Sequence, residues 1–400
     1  MRPLKILFAA SLFAIPGIAQ RTSTPAAPAP IITAYVFPQN AALLPGTVDA
    51  QSLTRINYAF SNIDNGRIVE GFSHDAENYA FLNKLKAQNP SLTVLTSVGG
   101  WLWSGHFSDV SLTADSRRVF IDSVMDFLHK YQLDGLDIDW EYPGMEGATK
   151  NFRPEDKENF TALVKELRER FEAETHRTHK HLYLTMAAGS GSDFIAHTEM
   201  DKVARYLDDV NLMCYDYHEP REDGGTNITG HNSPLYANPA DPRKASSDAS
   251  VQEFLAAGVP ANKLVLGLAF YGHTWGGVAA TNHGLFQNGK AVPHAYNSYG
   301  NIQATVLSKP GGTAVRYWDD ASQVPYVYDP ESQIFISYED PQSMTLKAQY
   351  ILDHHIAGAM FWDYESDPTG SLLKAINDAF HAPQAHKAAH SSAAKGQAHP

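Results

Sequence analysis

The chain has 400 residues, 43% apolar and 19% charged, with 19 Tyr, 19 Phe and 6 Trp; such a composition builds a large core and excludes disorder over most of the length. With 44 acidic against 31 basic residues the formal charge is -13, which argues against nucleic acid or an anionic membrane as the main partner and leaves a neutral polymer open. The length suits one large α/β barrel with an insertion as well as it suits two domains.

In chain order, the first segment, residues 1–19, carries Arg2 and Lys5, then an apolar run, then Gly17 and Ala19 spaced like a signal-peptidase site. The run is too short to span a bilayer, and a secretory signal cleaved after Ala19 is expected, with an uncleaved anchor as the alternative. An Ala/Pro-rich linker follows over 20–30. A lone cysteine, Cys214, rules out an intrachain disulfide, which in an exported chain suits a bacterial periplasmic or secreted protein that relies on core size. The sequons at Asn159 and Asn227 are read as coincidental.

From residue 31 onward, short β-branched or aromatic runs alternate with amphipathic stretches, the pattern of repeated β-α units. Strands are predicted at 31–37, 55–60, 93–99, 135–141, 182–189, 208–216, 263–272 and 358–365, the number that closes a parallel barrel. Helices are predicted at 115–131, 155–173, 194–206, 248–257, 343–355 and 370–380; the second of these carries Phe160, Leu163, Val164, Leu167 and Phe171 on one stripe. The connection between the last two strands is too long for a plain loop and holds strand-like runs at 314–320, 324–329 and 334–340. The expected fold is therefore a (β/α)8 TIM barrel over 31–275 and 341–381, with a small α+β insertion domain over 276–340. The low-complexity tail, 382–400, contains His386, His390 and His399 and reads as solvated chain rather than as a metal site.

The fourth predicted strand, in "LDGLDIDWEYPG" (133–144), carries the chemistry. Side chains alternate along a strand, so Asp137, Asp139 and Glu141 share one face while Ile138 and Trp140 take the other. In a barrel the apolar face packs on helices, and the acidic face points inward and rises toward the C-terminal mouth. Three stacked carboxyl groups cannot all ionise, so protons are shared along the row, and Glu141 at the strand end is best placed to hand one to a substrate. A divalent-metal site and a structural role are the alternatives, but no other strand end offers a matching cluster of ligands.

"DGLDIDWEYPG" resembles the signature of family 18 glycoside hydrolases, the chitinases, whose pattern is Asp-x-x-Asp-x-Asp-x-Glu. "SVGGW" (97–101), "LMCYDYH" (212–218), "LGLAFYGHTW" (266–275) and "GAMFWDYESD" (358–367) resemble further motifs of that family in the right order, and "YWDDASQVPYVYD" resembles its insertion domain. The resemblance implies hydrolysis of β-1,4-linked N-acetylglucosamine in chitin or its oligosaccharides by a monomer. It implies no cofactor and no metal, and, once the signal is cleaved, no membrane partner.

By the same resemblance Glu141 protonates the glycosidic oxygen, and the substrate's own acetamido oxygen replaces an enzyme nucleophile. Asp139 orients the acetamido nitrogen after sharing a proton with Asp137, and Tyr215 bonds the acetamido oxygen. Trp362 floors the subsite, and Tyr35, Phe60, Gly100, Trp101, Tyr142, Met186, Met213, Asp216 and Tyr271 are expected against the sugar. Trp103, Trp275 and Trp318 are candidates to extend the cleft, with core packing as the alternative. His273 stands where the family often has Arg, and Cys214 is expected to face outward with no catalytic role. An endo-β-N-acetylglucosaminidase, a peptidoglycan-directed enzyme and a non-catalytic chitin-binding lectin remain alternatives on the same fold.

Overall fold

The computed structural model describes residues 29–382, apart from 222, 294 and 296. The expected signal peptide lies outside the described residues, as do the linker up to residue 28 and the tail from residue 383. Eight strands form the centre: β1 Ile31–Val36, β2 Arg55–Asp64, β3 Thr93–Gly99, β4 Gly135–Asp139, β5 Tyr183–Gly189, β6 Asp209–Met213, β7 Leu264–Ala269 and β8 Gly358–Trp362. Each is parallel to the next, and β1 pairs with both β2 and β8, so the sheet closes into the expected barrel.

The main helices are α1 Asp75–Leu85, α2 Ala114–Tyr131, α3 Asp156–Thr178, α4 Met200–Tyr206, α5 Ser247–Ala256, α6 Pro341–Asp353 and α7 Ser371–His381. Local chemistry sets several boundaries. Thr113 and Ser116 form a reciprocal capping box before α2, and Asp340 does the same with Ser343 before α6, where Pro341 occupies the first turn. The predicted stripe on α3 is fully buried, each such side chain stabilising the fold by about 1.5–3 kcal/mol. Helix α1 was absent from the expected set for a physical reason: its buried face includes Asp75 and Asn78 beside Tyr79, Leu82 and Leu85, which blurs the apolar period.

Outward residues of the strands, among them Leu136, Ile138, Leu184, Met186 and Leu212, pack with the helices in the principal core. The inside of the barrel is mostly polar. Arg55 and Asp209 form a buried ion pair there at 2.6 Å, and a small apolar group of Tyr35, Ala59, Val265 and Met360 lies among the inward-facing side chains.

A second, six-stranded sheet stands on the rim, with every pairing antiparallel. The strand-like runs expected at 314–320, 324–329 and 334–340 appear as Val315–Asp319, Val324–Asp329 and Ile334–Ser337. The sheet does not keep to the expected limits of 276–340: it also takes His273–Gly276 and, from the long connection after β6, Thr226–Ile228. A strand contributed from elsewhere in the chain leaves no trace in a local pattern. Trp275, Val278, Leu285, Tyr326, Tyr328 and Phe335 form the sheet's own core. Trp275 is therefore a core residue rather than a wall of the cleft, its indole N–H donating to Asn227 Oδ1 at 2.9 Å.

Candidate active site

Asp137 sits in the middle of β4, in parallel register with Ser97 on β3 and Thr185 on β5. Both neighbouring hydroxyls donate to its carboxylate, Ser97 at 2.8 Å. Tyr35 from β1 donates at 2.8 Å and Asn211 from β6 at 3.3 Å. One carboxyl is thus held by side chains from four other strands. Burial lifts Asp137 above the usual carboxylate range against the pull of these donors.

Two residues up the same face the surroundings change. Asp139 lies in register with Gly99 on β3, and Ala187, two positions beyond Thr185 on β5, lines the cleft. Neither offers a donor, and Asp139 Oδ1 is buried without a hydrogen-bond partner. Burial, then the charge of Glu141, then that of Asp137 hold Asp139 well above the ordinary range. The expected sharing of a proton between Asp137 and Asp139 has no hydrogen bond behind it here, because the oxygens of Asp137 are already engaged by hydroxyls and an amide.

Glu141 follows the strand at the mouth. Burial is the largest influence on its carboxyl, a hydrogen bond with Tyr142 opposes it, and the nearby Asp216 carboxylate adds to it; together they push Glu141 up to about 7. Its backbone N–H donates to Ser104 Oγ at 2.9 Å, and the same hydroxyl lies within hydrogen-bond distance of the carbonyls of Asp139 and Gly100. The paired glycines of "SVGG" explain this fit. Gly99 and Gly100 have φ of +105° and +77°, and a Cβ on Gly99 would come within 2.3 Å of the Asp139 carbonyl.

A cleft of about 1100 Å³ opens above this row. Trp362 stacks on Phe60 at 5.5 Å and 20°, beside Tyr35 and Phe37, which makes an aromatic floor suited to the apolar face of a sugar ring. Tyr215 and Met213 line it from the end of β6; among the described residues the Tyr215 hydroxyl has one hydrogen bond, to Met360 Sδ at 3.9 Å. Tyr142 lies edge-on to Trp101, which is 47% exposed at the rim. Asp216 accepts from Tyr271 O–H at 2.6 Å and pairs with His273 Nε2 at 2.7 Å, so His273 is tied into the rim. Asp216, Glu219 and His273 bring their donor atoms within 4.8 Å of one another, but the imidazole nitrogen is already engaged by Asp216, and the group reads as a hydrogen-bonded edge.

The cleft thus unites Glu141, Asp139, Tyr35, Phe60, Trp101, Tyr142, Met213, Tyr215, Asp216, Tyr271 and Trp362, with Trp103 beside them. Asp137 lies one layer below. Met186 does not reach the cleft: it pairs in register with outward-facing Ile138 and packs in the barrel–helix core, since Thr185 and Ala187 hold the inward positions of β5. Gly100 lies beneath the Phe60 ring, which a Cβ there would meet at 2.7 Å. Trp318 sits on the second sheet under the Arg316 guanidinium, away from the cleft lining. Cys214 is buried outside the barrel, as expected. Phe37, Phe72 and Phe194 line the cleft unanticipated, because a single aromatic just past a strand, in a loop or in a short helix carries no local signal of the cleft it faces. Thr185 was within reach of the alternation that identified Asp137, extended one strand along.

A barrel whose mouth carries a carboxyl raised to near neutrality, above an aromatic floor, has the equipment of a protein that handles carbohydrate. The chain belongs to the Glycosyl hydrolases family 18, whose profile matches residues 32–367. It is 41% identical over 330 residues to Chitinase A1 of Niallia circulans, covering 78% of this chain and 46% of that protein. To Chitotriosidase-1 of Mus musculus it is 34% identical over 331 residues, covering 81% of this chain and 69% of that protein. This chain thus spans about half the length of the first relative and about two thirds of the second. A solved family 18 N-acetylglucosaminidase from Paenibacillus barengoltzii superposes with a TM-score of 0.78 at 37% identity, covering 88% of this chain and 99% of that one.

Proposed function

We propose that the protein is an exported chitinase that hydrolyses β-1,4-linked N-acetylglucosamine with retention and with the substrate's acetamido group as the nucleophile. The observation that carries this reading is the geometry at the mouth: Glu141 follows the acidic face of β4 into the cleft above Asp139, its carboxyl pushed up to about 7, beside a Tyr215 hydroxyl whose one hydrogen bond among the described residues is to a thioether at 3.9 Å. Glu141 gives its proton to the glycosidic oxygen as the bond from that oxygen to the anomeric carbon breaks. The acetamido oxygen, held by Tyr215, attacks the same carbon and forms an oxazolinium ion, whose positive charge lies beside Asp139. Water then attacks the anomeric carbon, Glu141 takes the water's proton, and the ring opens to a product of unchanged configuration.

The test is product analysis on the N-acetylglucosamine hexamer and on its fully deacetylated counterpart, with Glu141→Gln in parallel. Cleavage of the acetylated chain alone, with β-anomeric first products and loss of activity in the variant, is the expected result. Cleavage of both chains would exclude the acetamido nucleophile, and tight binding without cleavage would indicate a lectin. A second reading, release of single N-acetylglucosamine units, is favoured by the near-complete coverage of the Paenibacillus N-acetylglucosaminidase; monomer as the sole initial product from the hexamer would select it.

A further inference from the structure

Residues 231–233, in the long connection after β6, are all buried, at 1%, 0% and 3% exposure, and each is tied to a different part of the molecule. His231 Nε2 pairs with Asp319 Oδ2 of the second sheet at 2.8 Å. Ser233 donates to the Cys214 carbonyl and receives Lys347 of α6. Asn232, between them, turns its amide to two residues of the cleft wall, Asp216 and Tyr271. Its Oδ1 accepts the Asp216 backbone N–H at 2.8 Å, its Nδ2 donates to the Tyr271 carbonyl at 3.3 Å, and its own N–H donates to Ser337 Oγ of the second sheet at 2.6 Å. The Tyr271 hydroxyl donates in turn to Asp216 Oδ1, which closes a ring of three residues.

Asp216 needs such a holder. Its φ of +59° lies in the left-handed region, which aspartate enters more readily than most residues but still at a cost that a fixed hydrogen bond to its backbone offsets, and its side chain is 44% exposed, with solvent open to it should the backbone relax. We propose that Asn232 is a positioning residue for the acid centre: it anchors the backbone of Asp216 and the carbonyl of Tyr271 to the second sheet, and thereby fixes the Asp216 carboxylate near Glu141.

The inference rests on the reading of Glu141 as the acid, and its consequence lies in the pH profile. The titratable groups around Glu141 are Asp139, Tyr142, Tyr215 and Asp216; those around Asp216 are Tyr271, His273 and Glu219. Asp216 raises Glu141. Without Asn232, Asp216 relaxes toward solvent, its charge withdraws, and Glu141 loses its proton at lower pH.

The experiment is the pH dependence of kcat/KM on the N-acetylglucosamine hexamer for wild type, Asn232→Ala, Asp216→Asn and the double variant. Asn232→Ala should move the alkaline limb down by about 0.5 unit, roughly half the effect of a full neighbouring charge, and should move it no further in the Asp216→Asn background. A reduced kcat with an unmoved limb, or an equal shift in both backgrounds, overturns the proposal. If circular dichroism shows Asn232→Ala unfolded, Asn232→Ser and Ser337→Ala take its place: a lowered limb in either supports the role, and two unmoved limbs overturn it. Glu141→Gln separates the two failures. An active Glu141→Gln removes the acid assignment and this inference with it, whereas an inactive one with unmoved limbs elsewhere removes this inference alone.

Discussion

At the level of Asp137 the barrel directs three hydroxyls and an amide onto one carboxyl; two residues higher on the same strand face, Asp139 Oδ1 meets none. The difference comes from the neighbouring strands. Ser97 and Thr185 flank the lower position, and Gly99 adjoins the upper one, with Ala187 lining the cleft above Thr185. Small side chains leave space as well as an unmet polar group, and both are what a substrate entering from above requires. Identical residues on one face of one strand therefore come to lie one fully hydrogen-bonded and one with an unmet oxygen, through their neighbours alone.

The largest expected effect breaks the upper half. Glu141→Gln should lower kcat by about 10²–10⁴-fold, the usual worth of a positioned general acid, while leaving binding of the N-acetylglucosamine hexamer measurable by calorimetry. Loss of binding together with turnover would mean that Glu141 holds substrate rather than acting as the acid.

The two aspartates should then part in stability. Asp137→Asn replaces an acceptor-only group with one that presents an NH₂ to surrounding donors, and the mismatch should cost about 1–3 kcal/mol in urea unfolding. Asp139→Asn removes a buried carboxyl lacking a partner for one oxygen, so stability should hold or rise while activity falls. Equal destabilisation by both would erase the distinction between them.

The pH profile sharpens the same contrast. An acid must enter the reaction protonated, so kcat/KM should decline as pH rises through the Glu141 value of about 7. Asp216→Asn removes a like charge and should move that limb to lower pH, by about one unit at most. A profile flat from pH 4 to 9 would contradict the assignment.

Much of this was legible in the residues. Alternation along "LDIDWE" put the acids inward and Ile138 and Trp140 outward, where Trp140 now stacks on Phe107 at 5.2 Å. The eight strand positions were recoverable because short β-branched or aromatic runs alternate regularly with longer amphipathic stretches. What stayed hidden depends on pairing at a distance. The donors around Asp137 come from four strands, the strand Thr226–Ile228 joins a sheet formed mainly by later residues, and the ring of Asn232, Asp216 and Tyr271 spans three segments. Met186, placed against the sugar by the resemblance alone, faces the helices because Thr185 and Ala187 take the inward positions of its strand.

A further effect lies at the foot of the row and reports the charge of Asp137 itself. Tyr35→Phe removes one donor of four and little volume, so the barrel should keep its packing and lose about 1.5–3 kcal/mol if the acceptor is ionised, or about 0.5–1.5 kcal/mol if it is neutral. Because its folded value is raised, Asp137 takes up its proton at higher pH than an exposed aspartate does, and protonation weakens it as an acceptor. The cost of Tyr35→Phe in urea unfolding should therefore shrink as the pH is lowered through that uptake. The sign follows from linkage: the Tyr35 hydrogen bond lowers Asp137, so it favours the ionised form and contributes most where that form prevails. A cost that stays constant from pH 8 to pH 4 would mean that Asp137 keeps one protonation state throughout, and that the support beneath the acid centre does not titrate with it.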